Sequence, residues 1–144
     1  MGTGLGHPEP WLLAIAGAHL GFQLTVRLVV YPALAEVGPD GWHDAHARHS
    51  RRIAPLVAVL YPCLLAALVW ALAARPETVG AWVAAVGGGV AMAATAASAA
   101  PTHGRLGRAA ASERGALLHA LARADRVRTA GAALCLAGAV LLAA

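Results

Sequence analysis

The feature that most constrains the fold of this chain is an uncharged run of 22 residues, Ile53 to Ala74. About 20 consecutive apolar residues in a helix cross the roughly 30 Å hydrocarbon core of a bilayer. Three further mainly apolar segments, at about 11–31, 79–100 and 125–144, have comparable lengths. We therefore expect four transmembrane spans. The composition agrees, because 59% of the residues are hydrophobic and only 12% are charged, which excludes an ordinary soluble domain.

The four spans fall into two similar halves. In each half a first span ends at a proline, Pro32 or Pro101, and an arginine-rich connection leads to a second span. We interpret this similarity as a weak parallel repeat of two helical hairpins. The sequence therefore predicts an all-α fold in which residues 1–144 form one integral membrane four-helix bundle. An amphipathic helix at about 41–52 is expected to precede the second span.

The arginines predict the orientation of the chain in the membrane. All 11 basic residues are arginines; Arg48, Arg51 and Arg52 follow the first span, and five more follow the third. The turn after the second span has only Arg75. Because basic residues favour cytoplasmic loops, we expect both arginine-rich connections to be cytoplasmic and both termini to be non-cytoplasmic. The chain is then a multi-pass protein of the cell membrane. No nucleic-acid-binding motif accompanies the charge, so no nucleic-acid partner is expected.

Histidines are concentrated between the first two spans, in the stretch GWHDAHARHSRR. In a helix, His46 and His49 lie three residues apart on one face, where two imidazoles can approach one metal or ligand. We interpret His46 and His49 as the active members of the stretch, and we expect His43 to be dispensable. An alternative interpretation places all three histidines among the lipid headgroups.

The first span carries a polar stripe, in which His19, Gln23, Arg27 and Tyr31 recur every four residues. An ionisable side chain inside a span costs roughly 2.5–3.5 kcal/mol on insertion scales, so the stripe is expected to face the bundle interior or a wet cavity. Alternatively, it provides interhelical hydrogen bonds. His19 lies deepest, which places it at the floor of a cavity or in a second site.

Polar residues of all four helices fall at about the same level near the cytoplasmic boundary. Histidine and carboxylate ligands from several helices are typical of metal sites in bundles. We therefore predict a transition-metal site, with Fe or Cu favoured over Zn or Mn. The candidate metal ligands are His46, His49, His103, Asp125 and His19, and the candidate catalytic residues are Arg27, Arg128 and Tyr31.

These residues also have purely structural interpretations. Asp125 and Arg128 have the spacing of an i,i+3 ion pair, which would neutralise the start of the short fourth apolar run. His103 can cap carbonyl groups at the end of the third span. Arg27 can pair with Asp125 or Glu36, or it can bind an anionic group of a substrate.

Three short motifs resemble a known family. The first span ends in Tyr31-Pro32, the third in Pro101-Thr102-His103-Gly104-Arg105-Leu106, and Arg128-Thr129 opens the fourth. In this layout the chain resembles the small four-helix membrane proteins related to anthrone oxygenases, which have a Pro-x-Asn/His-x-x-Leu element and an Arg-Thr pair at these places. The resemblance implies oxidation of a lipophilic, often aromatic or polyketide-like substrate, and it supports His103 and Arg128 as site residues. The His46-x-x-His49 pair is not part of that pattern.

The sequence thus favours a membrane-bound, metal-dependent oxidoreductase or oxygenase that acts on a lipophilic small molecule at the cytoplasmic end of the bundle. The alternatives are a non-catalytic membrane subunit or small-molecule carrier, and a protein that binds haem non-covalently, because no CxxCH motif is present. Membrane lipid is an expected partner. The Gly- and Ala-rich third span also allows homo-oligomerisation.

Overall fold

The computed structural model describes residues 6–144, and within that range the chain is helical except for short connections and has no strands. Its four long helices are α1 (Pro8–Ala35), α2 (Trp42–Ala74), α3 (Val79–Leu106) and α4 (Ala111–Ala143). Each is long and apolar enough to cross a membrane. The prediction of an integral membrane four-helix bundle is confirmed, and the chain is a multi-pass membrane protein.

The helices stand in chain order around the bundle, with α4 next to α1. The α1–α2 and α3–α4 connections meet at one end, here termed the connection end, because Trp42 at the start of α2 contacts Leu106 at the end of α3. The expected amphipathic helix forms the beginning of α2. That helix continues as a single α-helix through Pro55 and Pro62.

Glycines allow α3 and α4 to pack in direct backbone contact. A Cβ atom on Gly138 would lie 2.2 Å from the backbone nitrogen of Ala84, and one on Gly87 would lie 2.4 Å from that of Cys135. No side chain tolerates such contacts, so only glycine fits at these two positions. This small-residue face of the third span is used inside the bundle, and homo-oligomerisation stays a prediction.

Helices α1 and α3 each contain a five-residue π-helical segment, Val26–Val30 and Thr95–Ala99. Soon after each segment a proline occupies the first turn of a resumed α-helix, where its missing N–H group breaks no hydrogen bond. Both helices therefore continue past Pro32 and Pro101, the prolines at which the sequence placed the ends of the first and third spans.

The two halves of the chain repeat each other in backbone geometry. The π-helical segments begin 69 residues apart, at Val26 and Thr95, and the same interval separates Trp42 and Ala111, the first residues of α2 and α4. Both α2 and α4 contain 33 residues. Residues 69 positions apart therefore occupy corresponding places in the two hairpins.

Candidate functional site

At the connection end, one side chain from each helix joins a chain of hydrogen bonds. Arg128 of α4 donates from Nη2 to the hydroxyl oxygen of Tyr31 on α1, over 3.2 Å. That hydroxyl lies 3.2 Å from Nε2 of His103 on α3. In turn, Nδ1 of His103 lies 3.4 Å from Nε2 of His46 on α2. The structure thus brings together four of the residues that the sequence singled out.

The arginine fixes the first hydrogen bond of this chain. A guanidinium group can only donate, so Tyr31 accepts from Arg128, and in one consistent assignment it donates its own O–H to Nε2 of His103. The neutral His103 ring then carries its proton on Nδ1 and donates it to His46. With this assignment both imidazoles are neutral, as suits a site where water is largely excluded.

Trp42, the first residue of α2, holds His46 in place. Its indole is 1% exposed and donates from Nε1 to the carbonyl oxygen of Leu106, over 3.1 Å. The His46 ring stacks on the indole, with 5.7 Å between centroids and 25° between planes. The guanidinium carbon of Arg114 on α4 lies 5.3 Å from the centre of the indole. Because three helices meet at Trp42, the position of His46 is set by the bundle.

His49 lies near the other two histidines and completes a group of three imidazoles. Its ring centroid is 5.8 Å from that of His103, and the His46 and His103 centroids are 5.7 Å apart. Among residues 6–144, Nε2 of His49 is buried and has no hydrogen-bond partner. A buried polar atom in that condition costs roughly 1–3 kcal/mol, so this nitrogen favours binding of a ligand.

A cavity of about 370 Å³ extends from the imidazoles into the bundle, and residues of all four helices line it. Its walls are mainly apolar, with side chains such as Phe22, Ile53 and Val57. Clefts of this size and character typically bind small organic molecules. Seven polar side chains interrupt the walls: His49, Ser50, His103, Tyr31 and Arg128 toward the connection end, and Tyr61 and Thr95 farther inside.

Asp125 and Arg128 form a buried ion pair. Oδ1 of the carboxylate accepts a hydrogen bond of 2.8 Å from Nη2, and the two side chains are 3% and 7% exposed. The structure therefore shows the i,i+3 pair that was the alternative interpretation of these residues. Asp125 reaches the imidazole group only through Arg128 and Tyr31, and it makes no direct hydrogen bond to His103 within the described part of the chain.

His19 belongs to a second polar network, deeper in the bundle. His19 and Gln23 are both fully buried, and their Nε2 atoms are 3.1 Å apart. Gln23 donates to the hydroxyl of Tyr61 over 3.0 Å, and that hydroxyl lies 2.9 Å from Oγ1 of Thr95. Because Tyr61 and Thr95 line the inner part of the cavity, His19 lies behind its inner wall rather than beside His46 and His49.

Arg27 and His43 lie outside both networks. Arg27 falls within the π-helical segment Val26–Val30, which alters the register of α1 and leaves this side chain exposed. The polar stripe inferred from four-residue spacing is interrupted at Arg27. His43 is exposed, and its Nδ1 lies 3.2 Å from the carbonyl oxygen of Gly107.

Two contributors were missed by reasoning from sequence. Tyr61 stands in the middle of the uncharged second span, and its hydroxyl was a usable signal, because a buried tyrosine usually has a hydrogen-bond partner. Trp42 was not among the candidate site residues. Its contacts join residues far apart in sequence, so no local pattern indicated them.

Within residues 6–144, no group of three or more His, Cys, Asp or Glu side chains stands in an arrangement that would hold a metal ion. No protein-family model, curated protein or solved structure matches the chain. Fold and site together define a class, that of a multi-pass four-helix membrane protein with a histidine-lined cavity. Its function is inferred below from that cavity.

Proposed function

We propose that the protein is a membrane-bound oxidoreductase of the oxygenase type that acts on a lipophilic small molecule. The cavity carries this proposal, since its apolar walls lead to His49, His103, Tyr31 and Arg128. A lipophilic molecule from the bilayer would bury its apolar body against these walls and place an oxygen atom near Tyr31 and Arg128. The resemblance to the anthrone oxygenase group supports the same substrate class.

Arg128 and Tyr31 would orient the substrate, stabilise its negative charge and accept its proton. Nε of Arg128 is buried and unpartnered among residues 6–144, so the guanidinium has donor capacity left for a substrate oxygen. Such a fixed cation stabilises negative charge that develops on that oxygen. While no metal occupies Nδ1 of His103, a proton leaving the substrate can pass to Tyr31 as Tyr31 passes its own to Nε2 of that neutral ring. The hydrogen-bond chain thus provides a general base.

The three imidazoles are the residues that would hold a transition metal. Two nitrogens bound to one tetrahedral metal at 2.0–2.1 Å lie roughly 3.3 Å apart. The nitrogens of His46 and His103 are 3.4 Å apart, and His49 adds an unpartnered Nε2. Imidazole suits Fe or Cu, and either metal would supply oxygen activation when bound. If Nδ1 of His103 binds a metal, its Nε2 carries the ring proton and donates to Tyr31, the outer hydrogen bond typical of metal-binding histidines.

Metal titration of detergent-purified protein tests this part of the proposal. We expect about one Fe(II) or Cu(II) to remain per chain after desalting, and both His46→Ala and His49→Ala to lower the affinity at least about tenfold. His119→Ala, at an exposed position of α4, is the matched control. A wild-type protein that retains no metal, or a His46→Ala protein with unchanged affinity, would contradict the metal site.

Anthrone is the first substrate to test, because of the resemblance. Its oxidation by O₂ converts the ring CH₂ group to a second carbonyl and releases one water, so oxygen uptake and anthraquinone formation should be equal. We expect wild-type protein to catalyse this reaction and Arg128→Gln to lower kcat/KM. Absence of oxygen uptake with anthrone and related lipophilic phenols would contradict the oxygenase.

A non-catalytic carrier or membrane subunit is the second candidate function. Both ring nitrogens of His103 are already within hydrogen-bonding distance of protein groups, and the described residues contain no ready metal group. A carrier would use the cavity and its polar end without a metal. Saturable binding of a lipophilic ligand without metal or oxygen uptake would support it. An absorption spectrum of the same preparation would show whether haem is bound.

A further inference from the structure

A second open space lies between α1 and α4 at the connection end. This groove has a volume of about 480 Å³, and its lining includes the apolar side chains of Pro32, Leu118 and Leu121. Arg27 and Arg126 also line it. Neither arginine takes part in the hydrogen-bond chain of the candidate site, so the groove is a separate candidate for binding.

The groove is the counterpart of the cavity in the internal repeat. A π-helical segment borders each space, because Arg27 lines the groove, whereas Val26 and Thr95 line the cavity. Residues of α2 and α4 that lie 69 positions apart line the two spaces, namely His49 and Leu118, Ser50 and His119, and Val57 and Arg126.

The groove carries positive charge. Arg27 and Arg126 are exposed, and neither forms an ion pair with a carboxylate among residues 6–144. Asp125 also lines the groove, but Arg128 neutralises its carboxylate. An arginine in an apolar span is costly unless it reaches an anion or the membrane surface. The two guanidinium groups therefore favour an anionic occupant.

We propose that the groove binds an anionic phospholipid, with its phosphate on Arg27 and Arg126 at the end of the groove that lies deeper in the bundle. The groove lies between two membrane-spanning helices, where lipids are the surrounding molecules. Arginine suits this role because its planar guanidinium can donate two parallel hydrogen bonds to one phosphate. A zwitterionic lipid offers the same phosphate together with a cation, so the arginines favour a headgroup with net negative charge.

The bound lipid would lie against the wall of the cavity. Tyr31 lines both spaces, and Asp125 in the groove is paired with Arg128 in the cavity. A lipid in the groove would therefore stabilise the candidate site through Tyr31 and through the Asp125–Arg128 ion pair. Lipid binding does not require the proposed oxygenase activity, and either proposal can fail alone.

Thermal unfolding of the detergent-purified protein tests the proposal. Phosphatidylglycerol and phosphatidylcholine with identical acyl chains are added at equal concentrations, and inorganic phosphate is added in a third arm. We expect phosphatidylglycerol to raise the Tm by several degrees more than either other addition. This difference should disappear in the double variant Arg27→Gln, Arg126→Gln. It should persist in Arg123→Gln, an exposed arginine of α4 outside the groove.

Native mass spectrometry of the single variants Arg27→Gln and Arg126→Gln keeps the test decisive if the double variant does not fold. Each single variant should retain less phosphatidylglycerol than Arg123→Gln. Equal stabilisation by phosphatidylcholine, stabilisation by inorganic phosphate alone, or equal lipid retention in all three single variants would overturn the proposal.

Discussion

The cavity and the groove are counterparts in the internal repeat, yet they carry different chemistry. In the cavity, His103 is hydrogen-bonded to Tyr31 and His46. The arginines of the groove are exposed and have no ion-pair partner in the described chain. At corresponding positions of the repeat, the cavity has His49 where the groove has Leu118, and Val57 where the groove has Arg126. The comparison shows that helix geometry opens both spaces, whereas a few side chains decide what each one can bind.

A thin wall separates the two spaces, and it is built from polar side chains. Tyr31 lines both, and the Asp125–Arg128 ion pair extends from one to the other. The wall is therefore the place where a change in one space is expected to affect the other.

Arg128→Gln should have the largest effect, because it leaves the carboxylate of Asp125 buried and uncompensated. Breaking a buried ion pair by removing one partner costs about 3–5 kcal/mol. We expect a large fall in the Tm of the detergent-purified protein. The double variant Asp125→Asn, Arg128→Gln should recover much of it, since no charge is left unpaired. An Arg128→Gln protein as stable as wild type would mean that the ion pair does not stabilise the wall between the two spaces.

His103→Ala should affect the cavity strongly and the groove weakly. It removes the partner of both Tyr31 and His46, at a cost of roughly 1–3 kcal/mol for each polar group left unsatisfied. We expect metal affinity to fall at least about a hundredfold, which corresponds to about 2.7 kcal/mol. Stabilisation by phosphatidylglycerol should persist. Loss of the lipid effect in His103→Ala would show that lipid binding in the groove depends on the imidazole group.

His49→Leu gives the cavity the residue found at the corresponding position of the groove, Leu118. Nε2 of His49 is buried without a partner among residues 6–144, so its removal should raise stability by up to about 1 kcal/mol. Metal affinity should fall in the same protein. These opposite changes, measured by thermal unfolding and metal titration, distinguish a ligand from a structural histidine. A loss of stability would indicate that His49 supports the fold.

His43→Ala should have the smallest effect. The side chain is exposed and contacts only the carbonyl oxygen of Gly107 among the hydrogen-bonding groups of residues 6–144. Exposed substitutions of this kind usually change stability by less than about 0.5 kcal/mol. Metal binding and lipid stabilisation should both stay at wild-type levels. Loss of metal to the extent seen in His46→Ala would place the site on the other face of α2.

Several elements of the site could be predicted from sequence because their cause is local. The spacing of His46 and His49 on one helix follows from helical geometry, and the structure places both near His103. The spacing of Asp125 and Arg128 likewise allowed an ion pair, and the pair is present. Position along the helices was sufficient to suggest that these residues share one end of the bundle.

Arg27 shows where local reasoning stopped. Its four-residue spacing from Gln23 and Tyr31 assumed a regular α-helix, but the π-helical segment Val26–Val30 alters the register between them. His19 met a different limit, because its partner Tyr61 belongs to another helix and is reached both through Gln23 and by a direct edge-to-face ring contact. A local irregularity of α1 thus decided the position of Arg27, whereas a contact between helices decided that of His19.

The sequence by itself determined that the chain crosses a membrane as four helices, because apolar length and composition leave no other way to satisfy the backbone in lipid. It also brought histidines and arginines to the end of the bundle where α1 meets α2 and α3 meets α4. Only the tertiary structure separated them into a cavity lined by partly buried imidazoles and a groove with exposed arginines. The physical reason is that rotation of each helix about its axis depends on close contacts such as Gly87 against Cys135, which span many residues of sequence.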